Sequence, residues 1–459
     1  MSNEKNTVTP NGTEIRKLRM KIGLTQEKLS ELSGLTRKTI QRAEHGEELF
    51  PANLERIAAV LDVGLAELIV PQKDEEYNSS KEFFKDYRIS FDSFIEERTR
   101  EFVGRRFVFN AINEFIKNNR CGYFFVRGDP GIGKSSIAAQ LVKEHGYIHH
   151  FNIRAEGINR TEVFLRNICG QLIVKYELDH LELPSDVADD NRFLCRLLDE
   201  AAEKSTSNNK IVIVIDALDE VDESLHHSGS NILYLPSRLP HGIFFIVTSR
   251  REHLPLRLEC NKGEFNLDAD SAGNQKDVED YLKFKADLTG INVYLKKQKL
   301  GKPDFILSMK KKSQGNFMYL RYVIPEIERG AYADLSFESL PMGLENYYED
   351  HWRRMGMLTK PLSEKKTKIV YILSEVHKPV SRTLLADFAT ESDMQVQVVL
   401  DEWDQFLHKE QQKDEIHYSI YHNSFRDFLN RKDIVQAAGV SLAAINDSIA
   451  DSFFGDEND

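Results

Sequence analysis

Residues 123–135 have the sequence Tyr-Phe-Phe-Val-Arg-Gly-Asp-Pro-Gly-Ile-Gly-Lys-Ser, in which an apolar stretch runs into a glycine-rich loop. The residues that follow, Ile137 to Val142, have helical spacing. Strand, G-x-x-x-x-G-K-S and helix in this order predict a phosphate-binding loop. The glycines let backbone N–H groups curl around phosphate oxygens, and the helix N-terminus adds the positive end of its dipole. The alternative is a plain glycine turn.

The loop residues have expected roles at a nucleotide. Lys134 is expected to place its charge on the β- and γ-phosphates, and Ser135 is expected to offer its hydroxyl to Mg²⁺. The backbone N–H groups of the loop would surround the phosphate oxygens. The predicted nucleotide-binding residues of this segment are Gly128, Asp129, Pro130, Gly131, Ile132, Gly133, Lys134, Ser135 and Ser136.

Two further apolar strands end in charged residues, the first in Asp-Ala-Leu-Asp-Glu and the second in Thr-Ser-Arg. All-apolar strands are expected in a parallel sheet with helices on both faces, where the carboxyl ends of the strands lie beside the phosphate loop. Asp216 is therefore expected to hold Mg²⁺. Either Asp219 or Glu220 is expected to orient the attacking water, and Arg250 to sense the γ-phosphate. The alternatives are a solvated acidic loop and, for Arg250, a structural salt bridge.

Residues 13–71 are dense in short amphipathic helices, and their spacing predicts five. Thr25 and Thr36 are good N-caps, and Gly34 supplies the tight turn between the two helices that they begin. Helix, glycine-containing turn and helix form a helix-turn-helix. Residues 16–42 contain eight basic residues and only two acidic ones. This excess of positive charge suits a surface that docks on DNA.

The stretch 23–46 resembles the small repressor-type (XRE-like) helix-turn-helix domain almost throughout. The resemblance implies that the helix from Thr36 enters the major groove of double-stranded DNA and that Gln26 contacts the DNA backbone. The residues expected to contact DNA are Gln26, Thr36, Arg37, Lys38, Thr39, Gln41 and Arg42. The alternative is a five-helix bundle that serves as a protein adaptor and has a solvated basic face.

The composition of the 459-residue chain allows roughly three domains. Its 61 Lys and Arg against 73 Asp and Glu give a net charge of −12. This balance argues against a protein that coats nucleic acid along its whole length, but it permits one basic module. No apolar run reaches the roughly 20 residues of a membrane span, and the N-terminus lacks the apolar core of a signal peptide. Four widely spaced cysteines fit a reducing compartment, so a cytoplasmic location without membrane contact is expected.

The nucleotide-site motifs together resemble the NACHT and AP-type nucleotide-binding domains of the STAND class, the signal-transduction ATPases with numerous domains. Phe-Val-Gly-Arg-Arg (102–106) resembles the first motif of that domain, which implies that Val103, Gly104 and Arg105 lie on the adenine side of the nucleotide. Asp-Ala-Leu-Asp-Glu and Thr-Ser-Arg resemble the second acidic motif in its NACHT form and the sensor motif. Residues 314–320 resemble the bacterial variant of the helical subdomain, although the Gly-Leu-Pro-Leu string of plant-type relatives is absent.

Residues 341–435 carry two helical apolar stripes, an alternating strand pattern around Tyr418, and then His-Asn-Ser-Phe-Arg-Asp-Phe-Leu at 422–429. This segment resembles the winged-helix domain of the same class. The resemblance implies that His422 contacts the β-phosphate of ADP in a closed state. The alternative is a histidine whose hydrogen bonds are satisfied locally.

Three weaker patterns are expected to be structural. The pairs His149-His150 and His226-His227 make poor metal sites, because neighbouring side chains on a strand point to opposite faces. The lysine-rich stretch 296–312 is expected to be a solvated helical face and not a second nucleic-acid patch. No G-x-S-x-G or H-E-x-x-H motif supports esterase or metalloprotease chemistry.

The sequence therefore predicts an α/β fold: a P-loop NTPase parallel sheet with helical and winged-helix subdomains, preceded by a small all-α helix-turn-helix domain. The expected boundaries are 1–71 for the helix-turn-helix domain, 72–98 for a linker, 99–266 for the P-loop NTPase (NACHT-like) domain, 267–340 for the helical subdomain, 341–435 for the winged-helix domain and 436–459 for an acidic C-terminal tail.

The resemblance implies a slow ATPase that works as a signalling switch between two states. The chain is expected to bind ADP when closed, to exchange it for Mg-ATP, to self-associate and to bind DNA, so a transcription regulator is the first hypothesis. The second is an immune or antiviral defence ATPase whose first module is an adaptor or recruits an effector. The third is a nucleotide-binding scaffold with negligible hydrolysis.

STAND proteins usually carry a repeat-built sensor after the winged helix, whereas an acidic tail follows here. The activating signal is therefore expected to be sensed elsewhere in the chain, by a partner, or in a longer form of the protein.

Overall fold

The computed structural model describes residues 8–69, 84, 87–205, 210–222, 229–330, 332, 337–359, 363–376, 378–412 and 415–454. The chain divides into two compact units, Met1–Asp86 with His180–Glu182, and Tyr87–Asp179 with Leu183–Asp459. Most of the expected linker before residue 87, the pair His226-His227 and the last residues of the acidic tail lie outside the described residues.

The described part of the first unit consists of four α-helices and one 3₁₀ turn. They are α1 (Gly12–Lys21), α2 (Gln26–Ser33), α3 (Arg37–Glu44), α4 (Pro51–Leu61) and the turn Leu65–Leu68. Thr25 Oγ1 accepts from Lys28 N at 3.1 Å, and Thr36 Oγ1 accepts from Thr39 N at 3.2 Å, so both threonines cap the helices they were expected to begin. Gly34 ends α2 with a φ of 65°. The helices bury an aliphatic core that includes Leu29, Ile40, Leu54 and Ile57.

A five-stranded parallel sheet forms the centre of the second unit. Its strands are β1 (Gly122–Gly128), β2 (Ile148–Phe151), β3 (Ile211–Asp216), β4 (Ile243–Ser249) and β5 (Asn261–Leu267), in the order β2-β3-β4-β1-β5. β1, β3 and β4 are almost fully buried, as all-apolar strands between helical layers should be. β4 lies between β3 and β1, with Val247 opposite Ile215 and Thr248 opposite Val126. This register brings Asp216, Thr248 and Gly128 to the same carboxyl edge.

Five helices follow the strands of this sheet or precede it: α5 (Asp92–Thr99), α6 (Arg106–Asn118), α7 (Lys134–His145), α8 (Thr161–Tyr176) and α9 (Arg192–Lys204). Short 3₁₀ turns cover Arg154–Glu156, Leu218–Glu220 and Ile232–Tyr234. Helix α5 occupies the end of the segment expected as a linker. It packs on α7 because Phe91 and Ile95 are buried in the core beside the sheet.

A helical region follows β5, with α10 (Ala272–Lys285), α11 (Thr289–Gln298), α12 (Lys302–Ser313), α13 (Phe317–Glu328) and the 3₁₀ turn Phe337–Ser339. Its apolar core continues without a break into the next part of the chain. Lys283 and Lys310 of this region form ion pairs with Glu279 on the surface.

The last region is a winged helix. Its helices are α14 (Gly343–Arg354), α15 (Glu364–Glu375), α16 (Arg382–Ala389), α17 (Asp393–Glu402), α18 (Asn423–Leu429) and α19 (Lys432–Ala438). A further helix, α20 (Leu442–Phe454), lies in the segment expected as the acidic tail and packs on α15 and α16. The wing is an antiparallel sheet, β6 (Val380–Ser381), β8 (Glu415–Ile420) and β7 (Leu407–Gln412) in that order, with a 3₁₀ turn at Asp404–Phe406. The rings of Trp403, Phe406 and Phe425 pack together beneath it.

The histidines of β2 have structural partners. His150 Nε2 lies 3.0 Å from Ile158 O, and His149 Nδ1 lies 2.8 Å from Tyr147 O. No group of three or more potential metal ligands occurs within the described ranges. Across the same ranges, no helix has both the length and the apolar character that crossing a membrane requires.

Candidate functional site

The glycine-rich loop lies between β1 and α7 at the carboxyl edge of the sheet. Gly131 and Gly133 have φ angles of +80° and +104°, which residues with a Cβ seldom adopt, so the glycines are required by the path of the loop. Lys134 Nζ donates to the carbonyl oxygens of Gly128 at 2.8 Å and Asp129 at 3.2 Å. Burial lowers the pKa of Lys134, and the nearby carboxylates of Asp219 and Asp216 oppose this. The lysine therefore closes the loop on itself.

A second segment braces the loop from far along the chain. Asn316 Nδ2 donates to Pro130 O at 3.0 Å, and Met318 N donates to Gly131 O at 3.1 Å. The Oδ1 atom of Asn316 also caps α13 by accepting from the backbone N–H groups of its first turn. A Cβ on Gly131 would lie 2.7 Å from Asn316 Oδ1, so this contact also requires the glycine. The sequence motif around Asn316 predicts a helical subdomain through its family resemblance, but it does not predict this contact with the loop.

Arg105 is buried beneath the loop. Its guanidinium donates to Ile132 O at 2.5 Å and to Asn274 Oδ1 at 2.7 Å, and it lies 4.7 Å from the centre of the Phe317 ring. Its backbone N–H donates to Asp277 Oδ2 at 2.8 Å. Burial lowers the pKa of Arg105 to about 10, although Asp277 opposes the shift. The side chain expected on the adenine side thus holds the loop against the helical region.

The two residues before Arg105 lie at the same junction. Gly104 has a φ of +78°, and a Cβ there would clash with the Asp277 carboxylate. Val103 is half-buried and lines the cavity described below. The close approach of Asp277 therefore requires glycine at this position.

Asp216 lies at the end of β3 and is 2% exposed. Its Oδ1 accepts a short hydrogen bond from Thr248 Oγ1, which in turn accepts from Ala217 N at 2.9 Å. Burial raises the pKa of Asp216, while hydrogen bonds from Thr248 and Ser135 oppose the shift. A carboxylate and a hydroxyl in contact at the loop are hard oxygen ligands of the kind that Mg²⁺ prefers, so these residues fit the ion.

Asp219 and Glu220 have different surroundings. Asp219 is 5% exposed at its side chain and accepts from Arg250 N at 2.9 Å, and its carboxylate lies 3.1 Å from Arg250 Nε. Burial and the charge of Asp219 raise the pKa of Glu220 to about 7, while a hydrogen bond with the Asn423 side chain opposes the shift. Asp219 is thus held by Arg250, and Glu220 faces the winged helix.

Arg250 contacts both the sheet and the winged helix. Besides its bonds to Asp219, its guanidinium lies 2.9 Å from Asp427 Oδ2 on α18. Burial acts against the charge of Arg250, but Asp427 and Asp219 together raise its pKa. The residue expected to sense a γ-phosphate therefore forms a structural ion pair in this conformation.

His422 caps α18. Its Nδ1 accepts from Ser424 N at 3.1 Å, so the proton of the neutral ring lies on Nε2. Burial lowers the pKa of His422 well below its ordinary value, and the charges of Arg98 and Lys134 add to this. The neutral imidazole of His422 lines the cavity and can donate a hydrogen bond through Nε2–H. Both the local bond and the phosphate contact considered from the sequence are compatible with this geometry.

A cavity of about 720 Å³ joins these groups, a size usual for small-molecule sites. Its lining includes the predicted residues Val103, Arg105, Pro130, Gly131, Gly133, Lys134, Ser135, Ser136, Asp216, Asp219, Glu220, Arg250 and His422. It also includes Asn152, which the sequence did not identify. Asn152 Nδ2 donates to Asp216 O at 2.8 Å, and its Oδ1 is buried without a hydrogen-bond partner in the described residues.

The expected DNA-binding residues lie on or near α3. Arg37 and Lys38 are exposed in its first turn, while Thr36 and Thr39 bond to each other. Arg37 forms an ion pair with Glu27 at 2.9 Å, and Arg42 forms one with Glu47 at 2.8 Å. Lys38, Gln41 and Arg42 also line one shallow depression. The basic groups of this surface are thus partly paired with acids.

Gln26 has a partner inside the first unit. Its Nε2 donates to Glu44 Oε2 at 2.6 Å, and Arg19 Nε lies 2.5 Å from Glu44 Oε1. Burial acts against the charge of Glu44, but the hydrogen bonds from Arg19 and Gln26 outweigh it and lower the pKa of Glu44. Gln26, which the sequence predicts to contact the DNA backbone, thus has its side-chain nitrogen bonded to Glu44 and helps to join α2 to α3.

Two family models match parts of the chain. The helix-turn-helix model matches residues 15–68, and the model described as Nephrocystin 3, N-terminal matches residues 108–250. No curated protein sequence matches the chain.

Several solved structures are similar to this chain at low sequence identity. A STAND protein with a tetratricopeptide repeat sensor from Pyrococcus horikoshii is 15% identical with a TM-score of 0.40, over 73% of this chain and 44% of that one. The chain thus spans less than half the length of that protein. The RuvB Holliday junction branch migration motor of Thermotoga maritima is 14% identical with a TM-score of 0.28, over 72% and 96% of the chains. Drosophila ORC bound to DNA is 11% identical with a TM-score of 0.28, over 76% and 98%.

The family matches agree with the fold. Residues 108–250 contain the phosphate loop and four strands of the parallel sheet, and residues 15–68 contain the helix-turn-helix. The chain thus joins a segment similar to repressor-type helix-turn-helix domains to a P-loop fold similar to the nephrocystin 3 N-terminal family.

Proposed function

We propose that the chain is a nucleotide-switched transcription regulator that binds ADP and Mg-ATP, hydrolyses ATP slowly, self-associates in the ATP state and binds DNA through residues 13–71. The observation that carries this proposal is the ion pair between Arg250 and Asp427 at 2.9 Å. In this pair the Asp427 carboxylate of the winged helix occupies the Arg250 guanidinium, which would otherwise be available to a γ-phosphate.

The competition for Arg250 couples the nucleotide to the winged helix. A terminal phosphate near Lys134 and Arg250 would offer the guanidinium a stronger acceptor than a half-exposed carboxylate. Asp427 would then lose its partner, and the hydrogen bond between Asn423 and Glu220 would be the next restraint on α18. Binding of ATP thus favours release of the winged helix.

ADP favours the opposite conformation. His422 offers its Nε2–H at the edge of the cavity and could donate to a β-phosphate oxygen while Arg250 stays with Asp427. Arg98 supports the closed arrangement from α5, because its guanidinium donates to Tyr421 OH at 2.6 Å and stacks on that ring at 4.8 Å. We infer that the conformation described above corresponds to the ADP-bound, closed state.

The loop residues supply the phosphate contacts in this proposal. Lys134 would turn from the loop carbonyls to the β- and γ-phosphates, and the loop N–H groups would surround them. Ser135 and Asp216 would hold Mg²⁺, which neutralises charge on the phosphates when bound. Glu220, whose pKa is raised to about 7 by burial first and by Asp219, is the better candidate for orienting water because Asp219 is already bound to Arg250.

The domain assignment follows the predicted boundaries. We assign residues 1–71 to DNA binding, 99–266 to the NTPase, 267–340 to the helical subdomain and 341–435 to the winged helix. Residues 72–98 are a connection that ends within α5, and residues 436–459 are the tail, which contains α20. One helix-turn-helix domain binds DNA weakly, and several heads joined by self-association would bind more tightly through effective concentration.

Selection from a random duplex DNA pool tests the proposal, with the full chain in ADP and in a non-hydrolysable ATP analogue. The control is the double variant Arg37→Ala, Lys38→Ala. A sequence motif enriched by the wild type, lost in the control and stronger with the ATP analogue would support a nucleotide-gated regulator. No enrichment with either nucleotide would refute DNA regulation and favour the defence or adaptor role.

A further inference from the structure

One end of the cavity has a polar group that the phosphate site does not use. Lys285 Nζ lies 2.6 Å from Glu101 Oε1, and Tyr281 OH donates to Glu101 Oε2 at 3.3 Å. All three residues line the cavity. Lys285 and Tyr281 are each 7% exposed, whereas the Glu101 side chain is 47% exposed. A lysine so buried is rare unless its charge is paired.

One face of α10 connects this end of the cavity to the phosphate loop. Asp277, Tyr281 and Lys285 are spaced four apart on α10 and lie on one face of it. Asp277 contacts Arg105 N under the phosphate loop. Lys285 lies eight residues further along, which is about 12 Å on an α-helix. The Glu101–Lys285 pair is therefore beyond the loop, toward the far end of the cavity.

The phosphate groups fix the direction in which a nucleotide would lie. Lys134, Asp216 and Glu220 define the end for the terminal phosphates, and Arg250 and His422 lie at that same end. The base would lie at the other end, among the apolar side chains of Phe102, Val103 and Phe317. The Arg105 guanidinium lies 4.7 Å from the centre of the Phe317 ring, and the centre of the Tyr281 ring lies 5.8 Å from it in an edge-to-face contact. Flat apolar walls of this kind suit stacking on a planar base.

The polar pair suits the edge of a base. A Lys ammonium has three N–H donors, one of which goes to Glu101, and a carboxylate has about four acceptor sites. Together they offer a donor beside an acceptor. Adenine presents an exocyclic amino donor beside a ring-nitrogen acceptor, so it matches this pair. Guanine presents a carbonyl in place of that amino group, and the Glu101 carboxylate would repel it in the same orientation.

We propose that Glu101 and Lys285 form the base-selecting site for an adenine nucleotide, with Glu101 accepting from the exocyclic amino group and Lys285 donating to a ring nitrogen. Tyr281 positions the carboxylate. This inference rests on the proposed nucleotide-binding function. It assigns base selectivity to side chains outside the phosphate loop and outside the Phe-Val-Gly-Arg-Arg motif itself.

Calorimetric titration of the full chain tests the proposal. The probes are ATP, GTP and inorganic tripolyphosphate, and the variants are Glu101→Gln and Lys285→Met. The matched controls are Lys283→Met and Glu279→Gln, which lie on the same helix, pair with each other at 2.7 Å and do not line the cavity. We expect the wild type to prefer ATP over GTP. Each test variant should reduce that preference by about tenfold, as loss of a charged hydrogen bond does, while the controls keep it.

Tripolyphosphate separates selectivity from folding, because it contacts the phosphate loop and has no base. Unchanged tripolyphosphate affinity in Glu101→Gln and Lys285→Met shows that these variants are folded and retain the loop. An unchanged ATP-to-GTP ratio in both variants, with ATP binding still lost in Lys134→Ala, would overturn the base site and leave the proposed function intact. Wild-type protein that binds none of the three probes, or binding that persists in Lys134→Ala, would overturn both.

Discussion

Arg250, directly after β4, and Asp427 on α18 form an ion pair of 2.9 Å between the parallel sheet and the winged helix. The same guanidinium lies 3.1 Å from Asp219 beside the phosphate loop. The Arg250 side chain therefore connects Asp219 with the winged helix, the domain that is proposed to move. The pair is partly exposed, 24% at Arg250 and 50% at Asp427, so its contribution to closure is modest.

Asp427→Asn should weaken closure without disturbing the loop. A partly exposed ion pair contributes about 0.2–1 kcal/mol, which corresponds to at most about a fivefold change in the equilibrium between the closed and open conformations. We expect ADP to dissociate up to about fivefold faster from this variant, measured by stopped-flow release of a fluorescent ADP analogue. Asp433→Asn, which removes a surface pair with Arg431, is the control and should release ADP at the wild-type rate. Equal or slower release from Asp427→Asn would contradict the coupling.

Thr248→Val should impair the Mg²⁺ site. Thr248 donates to Asp216 and accepts from Ala217 N, and valine has the same shape without the hydroxyl. Loss of an outer hydrogen bond to a metal-binding carboxylate reduces metal affinity by about 10–100-fold. We expect ATP affinity in the presence of Mg²⁺ to fall by a similar factor, while affinity in excess chelator stays near that of the wild type.

The control for this prediction is Thr248→Ser, which retains a hydroxyl at the same place and should recover most of the Mg²⁺-dependent affinity. A Thr248→Val protein that melts like the wild type and binds Mg-ATP with wild-type affinity would show that the hydroxyl does not orient Asp216.

Local patterns predicted most of the elements that build the site. The loop residues 128–135 and the acid at Asp216 follow from spacing alone, because strand, glycine loop and helix are consecutive in the chain. The sequence also predicts the helix-turn-helix, because threonine is a favoured N-cap residue and Thr25 and Thr36 do cap α2 and α3. Edge strand β5 was not identified as a strand. Its sequence, Asn-Lys-Gly-Glu-Phe-Asn-Leu, is mostly polar because one side of it is exposed.

Contacts between distant residues could not be read from the sequence. Asn316 and Pro130 are 186 positions apart, and Arg105 and Asn274 are 169 apart, yet both pairs hold the phosphate loop. Each contact depends on the angle at which a helix meets the sheet, which no local pattern encodes. The same reason explains why Arg105, expected at the adenine side, has its guanidinium bonded to Ile132 O. It also explains why no sequence pattern predicts the ion pair between Arg250 and Asp427.

Stability should fall as the pH rises toward neutrality because of Glu156. Burial first, and the charge of Glu410 next, raise the pKa of Glu156 from 4.5 to about 7. Between pH 4.5 and 7 the folded chain retains a proton that the unfolded chain has lost, so this residue contributes stability at low pH that is lost through that window. Glu156→Gln removes the titration. We expect the difference in melting temperature, variant minus wild type, to increase by a few degrees between pH 5 and pH 7.

The comparison uses Glu162→Gln as its control, since Glu162 is exposed on α8 and paired with Arg166. Its melting curve should follow the wild type across the same pH range. Glu220, whose pKa is also raised to about 7 by burial and by Asp219, is present in all three proteins and cancels in the difference. A constant offset between Glu156→Gln and the wild type from pH 5 to pH 8 would contradict the assignment.

Glu27→Gln should strengthen DNA binding if α3 is the recognition helix. Glu27 lies 2.9 Å from Arg37, and both side chains are well exposed, so the acid competes with DNA phosphate for the arginine. Removing the acid frees the guanidinium, and one more phosphate contact steepens the salt dependence of log K by about 0.9. We expect roughly two- to tenfold tighter binding to the selected duplex at low salt, measured by fluorescence anisotropy over a potassium chloride series. Glu31→Gln, on the same helix but paired with Lys28, is the matched control and should change the affinity less. Weaker binding by Glu27→Gln, or an equal gain in both variants, would mean that Arg37 does not contact phosphate and that overall charge alone sets the affinity.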